Sequence, residues 1–407
     1  MKKILLYFFS LSFLFVLTQS CEKTSDLDTP TDELELKSAQ SAKQSYIVVL
    51  NDTELNEELT KLKGYEKKQL AVKTKSDKIL QRAGITDGEV GFVYGSALKG
   101  FSVKIAPGQL KKLENDPSVK YIEEDQIITL GLPDFKINKG KPVKPDPTPE
   151  PDPGTSTQET PWGIARVNGG ISGATGTAWV IDTGIDLDHP DLNVDASRSV
   201  NYTRASSPDD DNGHGSHVAG TIAAIDNNFG VIGVAAGAEL VAVKVLDRRG
   251  SGSTSGVIAG INYVAANASS NDVANMSLGG GVSSSLDAAV LAASSTCTFV
   301  LAAGNESDDA NNHSPARVNG NNIITVSAMW EGDRFATEFS NYGNPPIDYA
   351  APGVYILSCY KNGGYDTLHG TSMATPHVAG LVLLGAIHTD KTVTSDPDGN
   401  ADPIAVH

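Results

Sequence analysis

Short apolar runs of strand length alternate with small-residue helical stretches through the second half of this chain, and that alternation limits the fold more than any other feature. From Trp162 onward, Trp179-Val180-Ile181, Leu240 to Leu246, Val273 to Leu278, Phe299 to Ala302 and Ile323 to Ser327 read as buried strands. His214 to Ala224, Ser255 to Asn267, Leu286 to Ser295 and Ser372 to Ile387 read as helices. Apolar strands followed by helices predict an α/β domain built on a doubly wound parallel sheet. The abundance of glycine, 40 in 407 residues, suits the tight strand-to-helix turns of such a sheet. Three cysteines are too few for a disulfide scaffold, so the core is hydrophobic. Cys297 and Cys359 are either two free thiols or one disulfide. A formal charge of −17 argues against nucleic acid as a partner.

Three segments carry chemistry. Gly370-Thr371-Ser372-Met373-Ala374-Thr375-Pro376-His377 sets a serine at the start of the apolar helix that continues to Ile387. A hydroxyl there meets unpaired backbone N–H groups and the positive end of the helix dipole, which suits a nucleophile whose reaction builds an oxyanion. Pro376 is tolerated because the first turn needs no N–H partner. Serine needs a base and an orienting acid. Asp182-Thr183-Gly184 ends the strand at Ile181, at the carboxyl end where open α/β sheets place their chemistry. Asn212-Gly213-His214-Gly215-Ser216-His217-Val218-Ala219-Gly220-Thr221 puts His214 at the opening of another helix. Taken singly, a strand-end aspartate is often a turn residue, and His217 and His377 read as packed structural residues.

The three motifs, in the order Asp182, His214, Ser372, resemble those of subtilisin-like serine proteases with some proteinase K character. The resemblance covers Gln158 to about Ile387. It implies a triad in which His214 takes the Ser372 proton and Asp182 holds the imidazole. It also implies Asn305, after the strand Phe299 to Ala302, as side-chain donor to the oxyanion. Ser277, Leu278, Gly279 and Gly280 would line the substrate groove and pair with the peptide as an added strand. Ala302, Ala303, Gly304 and His313 would wall the first pocket, with Glu306 near its floor, for broad cleavage after apolar or aromatic residues. The implied cofactor is structural Ca2+, held by side chains of Gln158, Asp191 and Asn227 and carbonyls of Ile225, Phe229 and Val231. The alternative for that loop is a plain polar surface turn. Asp396-Pro397-Asp398-Gly399-Asn400-Ala401-Asp402 also spaces oxygens by two, but reads as part of a disordered acidic tail. The two cysteines do not match the usual positions in proteinase K, which favours free thiols.

The first half reads as separate modules. Residues 1–21 resemble an export signal of bacterial lipoprotein type: Lys2 and Lys3, an apolar stretch from Ile4 to Leu17, then Cys21, the residue that would carry lipid. The alternative is ordinary signal cleavage with a free cysteine. Residues 22–44 read as a flexible tether. Residues 45–130 show a β-α-β-β-α-β order, a small α+β ferredoxin-like domain. At Asp116-Pro117-Ser118-Val119 and Glu123-Glu124-Asp125 it resembles the inhibitory propeptide of subtilisins. Residues 131–157 hold Pro142, Pro145, Pro147, Pro149, Pro151 and Pro153, a semi-rigid linker. Residues 158–388 would be the catalytic domain and 389–407 a polar C-terminal tail.

The whole reads as an exported serine endopeptidase made as a self-inhibited zymogen and acting as a monomer. Its partners would be protein or peptide substrates and its own propeptide, with a membrane reached only through lipid on Cys21. The precursor would be anchored and the mature enzyme secreted. The alternatives are a processing protease with one narrow substrate and a catalytically silent binding module.

Overall fold

The computed structural model describes residues 42–131, 133 and 157–407. The export signal, Cys21, nearly all of the tether and nearly all of the Pro-rich linker lie outside the described residues. Among the described residues no helix is long and apolar enough to cross a membrane.

The first region, the leader, contains β1 (Gln44–Leu50), α1 (Thr53–Lys61), α2 (Tyr65–Arg82), β2 (Glu89–Tyr94), β3 (Gly100–Ile105), α3 (Leu110–Glu114) and β4 (Val119–Glu124). The first helix of the β-α-β-β-α-β order is divided in two before Gly64, whose φ of 93° belongs to glycine. Asp52 caps α1 by accepting from Leu55 N at 2.8 Å. The strands form an antiparallel sheet in the order β2-β3-β1-β4, as the ferredoxin-like reading requires. Residues of β1 alternate between two cores. Tyr46, Val48 and Leu50 pack with Phe101, Val103 and Ile79 inside the leader, while Ile47 and Val49 face a core shared with the large sheet. A short strand, β5 (Ile127–Thr129), follows.

Next come α4 (Trp162–Arg166), β6 (Thr177–Asp182), β7 (Val200–Asn201), α5 (His214–Ala223), β8 (Glu239–Lys244), β9 (Ser251–Ser253), α6 (Thr254–Asn267), β10 (Val273–Met276), α7 (Ser284–Ala293) and β11 (Thr298–Ala302). The remainder is β12 (Ile323–Trp330), β13 (Arg334–Phe335), β14 (Ile347–Pro352), β15 (Ile356–Tyr360), β16 (Gly364–Leu368), α8 (Thr371–Leu383), β17 (His388–Thr392) and β18 (Pro403–Val406). The main sheet runs β17-β18-β14-β12-β11-β10-β6-β8-β7. It is parallel from β18 to β7, with β17 and β13 added antiparallel. Side chains of β6 show the double winding. Ala178 and Val180 pack against α5 and α8, and Trp179 and Ile181 against α6 and α7.

The C-terminal residues depart from expectation. The helix ends at Leu383, and residues 389–407 are not a disordered tail. Ile404, Ala405 and Val406 are buried, and β18 covers the edge of β14. Asp402 turns inward and accepts a 2.5 Å bond from Ser327 Oγ. The acidic loop reads as polar tail because its carboxylates outnumber one short apolar triplet, yet that triplet finds an unpaired sheet edge to cover. Cys297 and Cys359 are free and buried, and burial pushes the Cys297 thiol up to about 12 and the Cys359 thiol well above its usual range.

Candidate active site

Asp182 stands at the carboxyl end of β6 and is fully buried. Its Oδ1 accepts from Thr183 N at 2.7 Å and lies 2.8 Å from His214 Nδ1. His214 opens α5 behind Gly213, whose φ of 114° and contact with the Tyr360 ring leave no room for a Cβ. With Nδ1 turned to Asp182, His214 Nε2 has no hydrogen-bond partner. That leaves this nitrogen free to take a proton. Lys244, fully buried, donates to the Thr183 carbonyl and, at 2.7 Å, to Asp211 Oδ1, fixing the backbone beside Asp182. Nothing in the sequence marks this lysine beyond its place at a strand end.

Ser372 lies in the first turn of α8 and is 5% exposed. Its hydroxyl donates to the Ser277 carbonyl at 3.1 Å, and Ser277 Oγ donates back to the Ser372 carbonyl at 2.8 Å. Asn305 Oδ1 accepts from Thr371 N at 2.9 Å and lies 3.1 Å from Thr371 Oγ1. This orients the amide so that Nδ2 faces the groove. Thr371 is therefore a positioning residue that the motif contained and sequence reasoning did not assign. His217 and His377 are buried, and burial holds their imidazoles down to about 3 and about 4. They stay neutral, as structural histidines do.

Asn305 Nδ2 donates to a carbonyl of the leader, Gly131 O, at 2.8 Å. Gly131 and Leu130 share one cavity with Ser372, Asn305, Ser277, Leu278, Gly279, Gly280, Ala302, Ala303, Gly304 and His313, so all eight expected groove residues come together. Glu306 lines the same cavity, accepts from Asn341 Nδ2 at 2.7 Å and lies 3.7 Å from His313 Nδ1. The leader peptide itself pairs with β9. Ile127, Ile128 and Thr129 oppose Ser253, Gly252 and Ser251, and Leu130 N donates to Gly250 O at 2.9 Å. Gly280 already exchanges both backbone bonds with Ser314. It touches the leader peptide by packing, since a Cβ on it would meet Ile128 Cγ1 at 3.5 Å.

Leader carboxylates also reach the helices of the large sheet. Asp125 accepts from Ser255 N at 2.8 Å and Ser255 Oγ at 2.7 Å, in the first turn of α6. Glu123 accepts from Ser285 N at 2.8 Å and Ser285 Oγ at 2.5 Å, in the first turn of α7. Both negative charges sit where orphan N–H groups and the dipole favour them.

The candidate cation loop is equally local. Gln158 Nε2 donates to the carbonyls of Ile225 (2.6 Å) and Val231 (3.1 Å), and Asn227 Nδ2 donates to Asp191 Oδ1 at 2.7 Å. Phe229 joins through its amide, which donates to Asn227 Oδ1 at 2.9 Å. The two amides thus bind oxygens of the same loop, the Ile225 and Val231 carbonyls and the Asp191 carboxylate. Burial pushes the Asp191 carboxyl up, against bonds from Val231 N–H, Asn227 and Tyr365. Among the described residues no group of three His, Cys, Asp or Glu side chains is placed to hold a metal ion. With one carboxylate and otherwise carbonyl and amide oxygens, the loop fits a hard, oxygen-seeking cation such as Ca2+.

Comparison with known proteins gives the same frame. Residues 179–387 match the subtilase family model and residues 45–131 the peptidase inhibitor I9 model. "Alkaline serine exoprotease A" of Vibrio alginolyticus is 41% identical over 315 residues, 74% of this chain and 54% of that protein. "Subtilisin-like serine protease AsES" of Sarocladium strictum is 40% identical over 73% of each chain. "M-protease" of Shouchella clausii is 41% identical over 70% of this chain and 68% of its own length. The crystal structure of a cold-adapted subtilisin-like serine proteinase superposes with a TM-score of 0.52 at 39% identity, covering 61% of this chain and 98% of its own. With an α/β sheet of this topology and a leader seated at its groove, the chain belongs to the subtilase family as a subtilisin-like serine protease that carries its own I9-type inhibitor domain.

Proposed function

We propose that residues 158–388 hydrolyse peptide bonds through Asp182, His214 and Ser372, and that residues 45–130 are the inhibitor domain that blocks them until cleavage. The observation that carries this reading is the Gly131 carbonyl on Asn305 Nδ2, beside a His214 already paired with Asp182. In the reaction the Ser372 hydroxyl leaves the Ser277 carbonyl, gives its proton to His214 Nε2 and attacks the substrate carbonyl. Asp182 stabilises the imidazolium. Asn305 Nδ2 and the Ser372 N–H hold the oxyanion. The imidazolium protonates the leaving amine, and water then releases the acyl group by the reverse sequence. The groove favours apolar or aromatic side chains in its first pocket.

Ca2+, when bound, would supply a structural tie between Gln158 and the 225–231 loop, held by Gln158, Asp191, Asn227 and the carbonyls of Ile225, Phe229 and Val231. The signal of residues 1–21 makes the enzyme exported, with a lipid on Cys21 anchoring the precursor and a monomeric mature enzyme released. Ser372→Ala should abolish peptidase activity and self-processing and leave the full precursor with the membrane fraction. A fluorophosphonate probe should label the wild type alone. A Ser372→Ala chain that matures in isolation would sink the triad assignment, and a soluble precursor would sink the anchor.

A further inference from the structure

Leader residues Ile128 to Gly131 lie in the groove as a substrate would, and their side chains divide the work unevenly. Ile128 is 3% exposed and enters the core shared with Leu278, while Ile127 is 69% exposed. Leu130 packs over Gly250, where a Cβ would meet Leu130 Cδ1 at 2.7 Å. Gly131 then offers its carbonyl to Asn305 Nδ2. Pro133 Cδ lies 3.5 Å from the Cβ position of Gly370, two residues before Ser372. The carbonyl held by the oxyanion donor is that of Gly131, so the bond it marks is the one that follows Gly131 in the sequence.

Nothing local demands glycine at 131. Its φ is outside the left-handed region, and a Cβ there would meet a single atom within 4 Å, Glu306 Oε1 at 3.4 Å. Both conformation and space would admit a side chain, and that side chain would point toward the pocket wall. Instead a cavity of about 30 Å3 remains beside Gly131.

Resting on the function proposed above, we propose that the enzyme's first self-cleavage falls between Gly131 and Leu132, and that glycine leaves the first pocket empty so that the cut leader is gripped through Ile128 and lets go. Ser372 Oγ adds to the Gly131 carbonyl carbon as its proton passes to His214 Nε2. The Gly131–Leu132 C–N bond breaks, and that proton goes to the Leu132 nitrogen, which leaves as a free amine. Water hydrolyses the Gly131 ester, restoring Ser372 and leaving a Gly131 carboxylate. The leader then lacks the pocket contact that would add affinity, while its release exposes the groove.

The test uses the full-length chain. Wild type is quenched at early times, and both fragments are weighed intact and sequenced from their new ends. A leader ending at Gly131 with a partner starting at Leu132 is expected. A first cut elsewhere overturns the assignment while leaving the protease reading intact. A chain that neither cuts nor takes a fluorophosphonate overturns both. Gly131→Ala should then lengthen the lag between cleavage and activity about fourfold, the effect of one buried methyl group. Ile128→Ala should shorten that lag by about tenfold or more. A lag unchanged or shortened by Gly131→Ala overturns the empty-pocket idea, and an Ile128→Ala lag equal to wild type overturns the grip through Ile128.

Discussion

The interior of the catalytic sheet and the face where the leader meets it are built from different materials. Inside the sheet, β6 is buried on both sides, with Ala178 and Val180 on one and Trp179 and Ile181 on the other. The leader face adds Ile47, Val49 and Ile128 to that second core, but it also uses Glu123 and Asp125 on helix starts and a strand pairing with β9. Apolar strands buried on both faces cannot separate without unfolding. Carboxylates and backbone N–H groups can return to water. Under the proposed function, this difference would let one part of a single polypeptide leave the other folded.

The sharpest way to break this comparison is at Asn305, whose Nδ2 the leader's Gly131 carbonyl already holds. Asn305→Ala removes the donor on the Gly131 carbonyl, and turnover on a peptide substrate should fall roughly a hundred- to a thousandfold. A kcat within tenfold of wild type would mean that Asn305 only orders the leader. A second test concerns the catalytic region alone. Chelation should lower its Tm and speed autolysis, since a cation at a hundred times its Kd contributes about 2.7 kcal/mol. Asp191→Ala or Asn227→Ala should blunt the chelator's effect. An unchanged Tm in excess chelator would remove the cation from the account.

Glu123→Gln and Asp125→Asn address the leader face. Each replaces a charged acceptor at a helix start, and charge-assisted bonds contribute about 1.5–3 kcal/mol. The lag before activity appears should shorten by about tenfold for each, with kcat/KM of the mature enzyme unchanged. Equal lags would leave the apolar contacts and the pairing with β9 as the attachment. The smallest effect is expected at Asp402. Burial pushes its carboxyl up to about 7. A carboxyl raised above its unfolded value gives stability present below the unfolded pKa and lost as pH rises toward 7. Asp402→Asn should flatten the Tm profile between about pH 4 and 7 and raise Tm by a few degrees at pH 8. A profile identical to wild type would show that Asp402 reaches water.

Much of the site is legible in the residues alone. Ser372 at a helix start, His214 at another and Asp182 at a strand end follow from local periodicity and turn chemistry, and the groove residues come with the motifs that hold them. Lys244 under Thr183 and Thr371 under Asn305 are not legible in that way, because a supporting hydrogen bond between distant segments leaves no pattern in either one. The same holds for Ser251 to Ser253, a Gly-Ser run with no strand signal that becomes an edge strand only when β5 lies against it.

The sequence by itself determined the strand–helix alternation, the parallel sheet, the separate leader and the order of the chemical residues. All of these are written in spacings of a few residues, where side-chain period and backbone propensity act directly. Tertiary structure alone decided that Gly131 meets Asn305, that Glu123 and Asp125 find the starts of α7 and α6, and that Ile404 to Val406 close the edge of β14. Those contacts join segments about 54 to 174 residues apart, so they depend on which surfaces folding leaves unpaired, and no local period records that.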